Sequence, residues 1–421
     1  MKPETLREWL HQLEQQHTKA IDLGLERIQP VAAKLLPDKP DATVITVAGT
    51  NGKGSFVAAM AAILQAHGKR VACYTSPHLL HFNERISING VRATDQTITR
   101  AFEQVMAASE GISLSYFEFT TLAALLIFTE QSVDYMLLEV GLGGRLDAVN
   151  IIAPDWAVIT SIGLDHQQYL GDTRSAIAAE KAGILRQHTP LVCAEPEMIE
   201  LLPAVDNGRP LWLLGRDFML NWHGENWDFV SGDNSAFACL TLPDNGLSFN
   251  SQAAAIMLAR QLPGLVIDPL VLTQVLAHTQ LPGRFQRIIS ENNVTVIADV
   301  AHNTQAASLL KKRLRAMARA NGIRRVAVFH ILDDKDEAAL LQVLADEFDA
   351  WFVGKLEHAR ASSCHDLADS IRLYTGKSVT VSDSIAEAFA LALSSSKPGD
   401  EIVAFGSFFV VAELLQELDC L

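Results

Sequence analysis

The stretch TVITVAGTNGKGSFVAAMAAIL (residues 43–64) decides how the first half of this chain folds. Its first five residues, Thr43–Val47, are all β-branched and predict a buried strand, while an apolar helical pattern follows from Ser55. Between them lies GTNGKGS (Gly49–Ser55), whose glycines let backbone N–H groups close around phosphate oxygens while Lys53 adds a positive charge. We therefore predict a phosphate-binding loop. The alternative is a glycine-rich turn with a solvated lysine.

The loop departs from the common GxxxxGK[ST] spacing of nucleotide-binding loops at two positions. Val47 stands where the first glycine is usual, and Gly54 replaces the hydroxyl residue that follows the lysine. Because glycine has no hydroxyl to bind magnesium, Ser55 or residues elsewhere in the chain must help hold the metal. The spacing therefore points away from ordinary kinases and switch GTPases.

Outside this stretch, apolar strand-like runs alternate with helical patterns, which is typical of a parallel sheet covered by helices. The runs that predict buried strands are RVACY (Arg70–Tyr74), YMLLEV (Tyr135–Val140), WAVITSI (Trp156–Ile162) and PLVCA (Pro190–Ala194). An apolar helix is predicted over Glu118–Gln131, and Asn89-Gly90 within Arg85–Ala93 indicates a hairpin. We predict an α/β fold with a P-loop-type, mostly parallel sheet.

The second half of the chain divides in two. Residues 208–247 carry aromatic and Gly/Asp/Asn-rich segments that favour a small antiparallel subsheet. A second series of strands, VTVIAD, AVFHIL, WFV, SVTV and EIVAF, then alternates with helical stretches. We predict an N-terminal domain over residues 1–284, a linker over 285–293 and a smaller Rossmann-like α/β domain over 294–421.

The composition excludes several classes of protein. The 421 residues carry a formal net charge of −15, with a pI near 5.3, whereas a general nucleic-acid coat needs a basic face. No apolar stretch reaches the ~18 residues of a membrane span, and the charged N-terminus lacks the apolar core of a signal peptide. We expect a cytoplasmic protein with reduced thiols, because its five cysteines are scattered and form no CxxC pair: Cys73, Cys193, Cys239, Cys364 and Cys420. We also expect a monomer, because no large apolar stripe is visible in the sequence.

Three further predicted strands are followed by residues that could bind a metal. Ser76 follows RVACY, Glu139 ends YMLLE, and Asp165-His166 follow WAVITSIGL. Because the carboxyl ends of parallel strands share one edge of a sheet, these side chains could converge beside the phosphate loop. A hydroxyl and a carboxylate suit Mg²⁺, while histidine is a less usual ligand for it. Taken singly, the same residues could be a turn cap, an exposed strand terminus and a loop histidine.

Seven motifs follow one another along the chain: GTNGKGS, TSPHL, LLEVGLGGRLDAVNI, LDH (Leu164–His166), EKAGI (Glu180–Ile184), LPGRF and DVAHN (Asp299–Asn303). Together with FGSFF (Phe405–Phe409), they resemble the folylpolyglutamate synthases, of the Mur-ligase-like group of ATP-dependent amide ligases, over nearly the whole chain. DLGLER (Asp22–Arg27) and YFE (Tyr116–Glu118) are similar to the dihydropteroate-binding segments of the bacterial bifunctional type, which is also a dihydrofolate synthase. A helix start and a core aromatic would give the same two patterns.

The resemblance implies that ATP phosphorylates a carboxylate and that the amine of L-glutamate then attacks the acyl phosphate. The implied carboxylate substrates are 7,8-dihydropteroate and tetrahydrofolate polyglutamates, and the implied cofactor is Mg²⁺, as two ions. The residues implied to bind the pteroate or folate are Asp22, Leu23, Gly24, Leu25, Ser115, Tyr116, Phe117, Glu118, Arg145 and Leu146. Those implied to bind ATP are Thr50, Asn51, Gly52, Lys53, Gly54, Ser55, Gln252, Arg284 and Asp299.

The resemblance also implies a metal site and a catalytic set. The metal ligands are Ser76, Glu139, His166 and, if it is carbamylated, Lys181; the catalytic residues are Lys53, Lys181, His166, Asp299 and His302. A carbamate would turn the cation of Lys181 into a carboxylate-like ligand. Each residue also has a simpler interpretation. Lys181 could be a solvated lysine on a helix starting near Thr173, Arg284 a surface ion-pair residue and Asp299 a helix N-cap.

Two departures from the family pattern affect details. Gln252 of Gln252-Ala253-Ala254 aligns where the family usually has the asparagine of its adenine-contacting helix, with Asn250 as the competing candidate. Thr304 stands where proline often follows His-Asn, and we expect it to cap the next helix.

Three alternative functions account for fewer of these sequence features. A muramyl-peptide ligase shares the mechanism but does not account for Gly54 or DLGLER. A P-loop transport ATPase or nucleotide switch leaves LPGR and DVAHN unexplained. A folate-binding module without catalysis does not fit the intact Lys53, Glu139, His166 and Asp299.

Overall fold

A computed structural model describes residues 3–17, 19, 21–232, 235, 237–317 and 322–418. By internal contacts the chain divides into two compact units. The first unit contains Met1–Asn221, Trp227–Leu242 and Ser248–Thr279; the second contains Trp222–Asn226, Pro243–Leu247 and Gln280–Leu421. None of the helices in the described ranges has the length and apolar character that a membrane crossing requires.

The first unit is built on a mostly parallel sheet, as predicted. Its strands are β1 (Thr43–Ala48), β2 (Val71–Tyr74), β3 (Ile86–Ile88), β4 (Val91–Arg92), β5 (Tyr135–Glu139), β6 (Trp156–Ile159), β7 (Leu191–Cys193) and β8 (Leu211–Leu213). Within the described residues these eight strands lie in the order β4-β3-β2-β5-β1-β6-β7-β8. Among the described strands of this sheet, the antiparallel pairs are β2 with β3 and β3 with β4. Asn89 and Gly90 join β3 and β4 with positive φ angles (50° and 74°), which confirms the hairpin.

Helices cover this sheet. They are α1 (Leu6–Gln16), α2 (Ile28–Leu35), α3 (Lys53–Ala66), α4 (Asp95–Ser109), α5 (Tyr116–Thr129), α6 (Gln167–Leu170), α7 (Arg174–Ala182), α8 (Met198–Leu201), α9 (Phe249–Gln261) and α10 (Pro269–His278). Every residue of α5 from Glu118 to Phe128 is buried, because the helix is apolar on all sides.

The segment over residues 208–247 differs in part from the prediction. β9 (Phe218–Trp222), β10 (Asn226–Ser231) and β11 (Cys239–Pro243) form the small sheet, in the order β11-β10-β9. The three-residue connection between β9 and β10 suits antiparallel neighbours. Placing β8 in this subsheet is wrong, however, because Leu211–Leu213 pairs in parallel with β7 and extends the main sheet.

The second unit has a smaller mixed sheet. Its strands are β12 (Gln286–Ile289), β13 (Thr295–Ala298), β14 (Arg325–Phe329), β15 (Ala350–Gly354), β16 (Ser378–Ser382) and β17 (Glu401–Phe405), in the order β12-β13-β17-β14-β15-β16. Its helices are α11 (Thr304–Ala316), α12 (Glu337–Leu344), α13 (Cys364–Thr375), α14 (Ile385–Ser394) and α15 (Phe408–Glu417). Antiparallel β12 lies within residues 285–293, and the functional boundaries at 1–284 and 294–421 remain a prediction.

Two predictions on single residues have different outcomes. Cys73, Cys193, Cys239 and Cys364 are free thiols, as expected, whereas Cys420 lies outside the described residues. The expectation that Thr304 caps α11 is wrong. The N-cap is Asn303, whose side chain accepts a hydrogen bond from the backbone N–H of Ala306 (3.0 Å). An asparagine one residue earlier is the stronger cap, and Thr304 begins the helix.

Candidate active site

The segments that carry the predicted site leave the main sheet at one edge. Val47 of β1 lies opposite Glu139 of β5 and Val158 of β6, and Tyr74 of β2 lies opposite Leu138. The phosphate loop, the TSPHL segment, GLGGRLD and the LDH segment therefore all begin at the carboxyl ends of neighbouring parallel strands. In doubly wound sheets, ligands bind at this edge.

The phosphate loop is shaped by Gly52 and by the lysine after it. Gly52 has φ 84°, and a Cβ atom there would lie 2.3 Å from Oγ of Ser251, so glycine alone fits. Helix α3 begins at Lys53, two residues earlier than the sequence pattern indicates, which places Lys53 to Ser55 in its first turn. Nζ of Lys53 donates to the carbonyl of Gly49 at 3.0 Å. The loop thus presents a helix N-terminus and an ammonium group, which suit a phosphate.

Two hydroxyl residues that the sequence did not single out hold the loop. Ser161 accepts the backbone N–H of Thr50 at its carbonyl (2.9 Å) and that of Asn51 at its Oγ (2.9 Å). Oγ1 of Thr160 donates to the carbonyl of Asn51 at 2.7 Å. Adjacent hydroxyls at the end of the apolar run WAVITSI were the available signal. These bonds join the phosphate loop to the segment that leads to His166.

Ser76 and Glu139 lie side by side. The backbone N–H of Ser76 donates to Oε2 of Glu139 at 3.3 Å. Glu139 is only 4% exposed, so it is a buried carboxylate and not an exposed strand terminus. His166 has a left-handed backbone (φ 50°), and its N–H is accepted by Oδ1 of Asp165 at 2.9 Å. Burying a carboxylate is costly unless a cation or hydrogen-bond donors face it.

Lys181 is a buried lysine on α7, only 3% exposed. Among the described residues, no group forms a hydrogen bond or ion pair with its ammonium nitrogen. Burial, followed by the charge of Lys53, lowers the pKa of Lys181 to about 7, while Asp165 and Asp147 act in the opposite direction. The interpretation of Lys181 as a solvated lysine is therefore wrong.

Asp147 is a second buried ionisable group in this part of the unit. It accepts hydrogen bonds from the backbone N–H groups of Leu142 (2.9 Å) and Val149 (3.0 Å). Burial nevertheless raises the pKa of Asp147 to about 6, and these hydrogen bonds and the charge of Lys53 offset only part of that rise. Lys53, Asp147, Asp165 and Lys181 thus form one electrostatically coupled group.

The metal ligands implied by the resemblance fit a hard divalent cation in their chemistry. A buried carboxylate on Glu139 and the adjacent Ser76 offer oxygen ligands of the kind that Mg²⁺ binds. In the part of the chain that is described, no group of three or more His, Cys, Asp or Glu side chains is arranged to hold a metal. A metal here would therefore need further ligands, and Mg²⁺ commonly takes them from nucleotide phosphates and water.

Three separate segments implied in acceptor binding come together in the first unit. Arg27 bridges two of them, with Nη1 at 3.0 Å from Oδ2 of Asp22 and Nη2 at 3.2 Å from Oε1 of Glu118. The N–H of Gly24 donates to the carbonyl of Leu146 at 3.2 Å, which adds the third segment. The DLGLER segment therefore contacts the two other predicted segments.

The remaining acceptor residues occupy distinct places around this network. Ser115 caps α5 in a capping box with Glu118, and Phe117 packs against Tyr74, with ring centroids 5.9 Å apart. A Cβ atom on Gly141 would lie 2.6 Å from the Phe117 ring. Arg145 forms an ion pair with Glu180 (2.9 Å), beside Lys181 in sequence. Leu23 and Leu25, in the same segment, are both half-buried.

The second unit contains the other predicted residues. Asp299 is half-buried and accepts the backbone N–H groups of Phe285 (2.9 Å) and Ala301 (2.8 Å); it does not cap α11. Burial raises the pKa of Asp299, and the charges of Arg313 and Arg284 oppose the rise. Arg284 lies 5.0 Å above the Phe408 ring, and the His302 ring packs on the same phenyl group at 6.0 Å.

The two candidates for the adenine contact lie on α9 in the first unit. Gln252 is fully buried, and the side-chain amide of Asn250 donates to the carbonyl of Ala194 at 3.2 Å. Asn250 is therefore already engaged with the end of β7. The choice between Gln252 and Asn250 for the adenine contact stays a prediction.

The glycine-rich loop at the edge of a parallel sheet, the second α/β unit and two family matches together place the chain in the Mur ligase class of ATP-dependent ligases. Residues 47–195 match the family described as "Mur ligase middle domain", and residues 283–408 match the family described as "Mur ligase, glutamate ligase domain".

Within the Mur ligase class, the chain is similar to proteins with one described activity. The chain is 40% identical over 415 residues to the dihydrofolate synthase/folylpolyglutamate synthase of Escherichia coli strain K12, covering 98% of this chain and 96% of the relative. It matches the structure of E. coli FolC in complex with DHPP and ADP with a TM-score of 0.91 and 37% identity, over 100% of this chain and 99% of that one. A bifunctional folylpolyglutamate synthase/dihydrofolate synthase with Mn, AMPPNP and L-glutamate bound matches with a TM-score of 0.87 and 35% identity, over 100% of both chains.

The chain therefore belongs to the dihydrofolate synthase/folylpolyglutamate synthase family. It is an acid–amino-acid ligase that joins glutamate to folates in an ATP-dependent reaction.

Proposed function

We propose that this enzyme has two activities at one set of residues. It adds L-glutamate to 7,8-dihydropteroate, which gives dihydrofolate, and it adds further glutamates to tetrahydrofolate and its polyglutamates. The observation that carries this proposal is the joining of Asp22, Gly24, Glu118 and Leu146 through Arg27 and backbone bonds. The relative solved with DHPP and ADP supports it, because that protein holds both ligands at once.

ATP is assigned first to the phosphate loop. Backbone N–H groups of the loop, together with the ammonium of Lys53, hold the phosphates, since both lie at the N-terminus of α3. Thr50, Asn51, Gly52, Gly54 and Ser55 complete this cradle. We assign Gln252 to the adenine, and we assign Arg284 and Asp299 to nucleotide binding.

Divalent metal use is supported by the relative solved with Mn, and we propose that two Mg²⁺ ions serve here. Ser76, Glu139, His166 and a carbamate on Lys181 would hold the metal, which when bound offsets negative charge on the phosphates. The carbamate forms when the neutral amine of Lys181 attacks carbon dioxide, so that an N–C bond forms and a proton is released. Lys181 is suited to this reaction because its nitrogen is buried without an ion-pair partner among the described residues.

The chain's residues then serve two group transfers. An oxygen of the acceptor carboxylate attacks the γ-phosphorus and ADP leaves, giving an acyl phosphate. The amine of L-glutamate attacks the acyl carbon, phosphate leaves, and the nitrogen loses a proton. Nδ1 of His302 bonds to the carbonyl of Val300 (2.8 Å), which makes Nδ1 the donor and leaves Nε2 as the basic atom of the neutral ring. We assign His302 and Asp299 to proton handling and to glutamate orientation.

The cellular location and the oligomeric state of the enzyme are also proposed. We propose a cytoplasmic location, which rests on the unpaired cysteines in the described part of the chain, because such thiols persist in a reducing compartment. We also propose that the enzyme acts as a monomer.

The decisive experiment measures phosphate release with ATP, magnesium, L-glutamate and an acceptor, and then omits each component in turn. Release should require all four, with dihydropteroate and with tetrahydrofolate. Turnover without glutamate would instead favour a nucleotide switch. Turnover with a muramyl peptide and not with a pteroate would favour the other amide ligase, and failure with dihydropteroate alone would remove the first activity.

A further inference from the structure

We propose that Arg85 binds a carboxylate of the acceptor substrate through the two terminal nitrogens of its guanidinium group. This inference rests on the proposed function, because the carboxylate belongs to the pteroate or folate. Arg85 lies in the TSPHL-to-β3 segment, and none of the residue assignments made above includes it.

Neighbouring groups hold the Arg85 side chain in one position. Nε of Arg85 donates to Nδ1 of His78 at 2.8 Å. The guanidinium carbon lies 5.7 Å from the centroid of the Phe82 ring and 5.6 Å from that of Tyr116. The carbonyl of Arg85 also accepts the N–H of Thr75 at 2.9 Å. A guanidinium group fixed in this way loses little further freedom when it binds a ligand.

The part of Arg85 that suits an anion is left available. In the described part of the chain, no residue accepts a hydrogen bond from Nη1 or Nη2 of Arg85, and the side chain is half-buried. A planar fork of N–H donors matches the two oxygens of a carboxylate, and burial against aromatic rings strengthens such a pair. If Arg85 served only to cover Phe82 and Tyr116, its charge would be unnecessary.

The position of Arg85 connects two parts of the first unit. The carbonyl of Arg85 accepts the N–H of Thr75, the residue before Ser76. Ser76 in turn is hydrogen-bonded to Glu139 in the proposed metal site. On the other side, Tyr116 begins α5 and belongs to the segment proposed to hold the acceptor. An acceptor that binds at Ser115–Glu118 and directs its carboxylate to Ser76 and Glu139 would pass the Arg85 fork.

Two carboxylates of the acceptors share this chemistry. Dihydropteroate has one, which is the group that reacts. A glutamylated folate has two on its terminal residue, the reacting γ-carboxylate and the α-carboxylate. The Arg85 fork could be occupied by the reacting group of either acceptor or by the α-carboxylate of the second, and binding measurements with both acceptors distinguish the two sources.

The test measures binding by calorimetry in the presence of AMPPNP. The ligands are pteroate, the matched pteroate carboxamide and folate, and the variants are Arg85→Gln and Arg85→Lys. Arg92→Gln on the same hairpin is the matched control, because Arg92 is exposed. For Arg85→Gln we expect carboxylate binding to weaken about 10- to 100-fold, as for a lost charge-assisted pair, and carboxamide binding to change less than about twofold. Arg85→Lys should fall between, and Arg92→Gln should match the wild type.

The outcomes separate the two levels of the proposal. Weaker binding of both pteroate and folate would identify the reacting carboxylate, and a loss confined to folate would identify the α-carboxylate; either supports the assignment. Equal loss for pteroate and its carboxamide in Arg85→Gln would show a packing role and contradict it, as would unchanged binding of both acids. If the wild-type enzyme bound none of the three ligands, the proposed function itself would be wrong. Equal binding of pteroate and its carboxamide by the wild type, together with unchanged folate binding by Arg85→Gln, would contradict only Arg85.

Steady-state kinetics provide a readout that simple destabilisation would not reproduce. Arg85→Gln should raise the KM for the acceptor and leave the KM for ATP unchanged. A parallel rise in both constants would contradict a carboxylate-binding role.

Discussion

Arg174 and Glu195 form an ion pair (3.1 Å) that holds both polar groups of the Ile162 backbone. Oε2 of Glu195 accepts the N–H of Ile162 at 2.9 Å, and Nε of Arg174 donates to its carbonyl at 3.2 Å. Ile162 lies four residues before His166, and Arg174 begins the helix that carries Lys181. One ion pair therefore supports both segments that bear these proposed metal ligands.

We expect Glu195→Gln to lower both activity and stability. Glu195 is buried, and the neutral amide keeps one acceptor but loses the charged pair with Arg174, so we expect a loss of about 1–3 kcal/mol in the free energy of unfolding. Urea unfolding and phosphate release measure the two effects. Glu197→Gln is the control, because Glu197 pairs with the same arginine while exposed, and such pairs contribute about 0–1 kcal/mol. Equal effects of the two substitutions would contradict the role of Glu195.

The arrangement of strands was predictable because the sequence pattern along each strand is local. The runs that begin at Thr43, Arg70, Tyr135 and Trp156 are mainly apolar, and a parallel sheet brings their ends together whatever the loops contain. The positions of Ser76, Glu139 and Lys53 follow from that rule. The types of these three residues then indicated that the site binds a metal ion and phosphate.

The supporting contacts could not be predicted because they join residues far apart in the chain. Ile162 and Glu195 are 33 residues apart, and Arg313 binds the carboxylate of Asp244 across 69 residues. Nothing in the local pattern marks such partners, since a buried glutamate and a solvated one look alike in sequence. The same holds for Lys181, whose burial depends on how α7 packs in the first unit. Only the structure could therefore show which of these side chains are buried.

Lys53→Met should abolish turnover without unfolding the protein. The side chain is half-buried and, among the described residues, its ammonium donates to the carbonyl of Gly49 alone, so the fold loses little, while the phosphates lose their fixed cation. We expect a fall in kcat/KM of about 10²-fold or more, comparable with the removal of a transition-state donor. Lys39→Met, at an exposed lysine, is the control. Circular dichroism checks the fold, and global unfolding of Lys53→Met would mean that the loop is a structural turn.

Lys181→Ala should also abolish turnover, and added acetate should restore part of it. If the lysine carries a carbamate, the substitution removes a carboxylate-like group and leaves space in which a small carboxylate can bind. Acetate should not restore Lys53→Ala, which lacks a cation and not an anion. In the wild-type enzyme, ¹³C-labelled bicarbonate should give a carbamate NMR signal that is absent from Lys181→Ala. Full activity of Lys181→Ala would exclude any role for the modification.

The stability of the protein should depend on pH through Asp147. Because burial raises the pKa of Asp147 to about 6 from an unperturbed 3.8, the folded protein binds this proton more tightly than the unfolded chain does. The contribution to stability is thus complete below about pH 4 and is lost as the pH rises through about 6. At about 1.4 kcal/mol for each unit of pKa shift, the total is about 3 kcal/mol.

Asp147→Asn isolates this effect, because asparagine does not titrate. The free energy of unfolding of the wild type, minus that of Asp147→Asn, should decrease by about 2.4 kcal/mol between pH 4 and pH 7, measured by urea unfolding at intervals of pH. Asp38→Asn, at an exposed aspartate, corrects for the general loss of one carboxylate. A difference that stays constant over this range would show that Asp147 is ionised equally in both states, and its placement in a buried charged group with Lys53 and Lys181 would then be wrong.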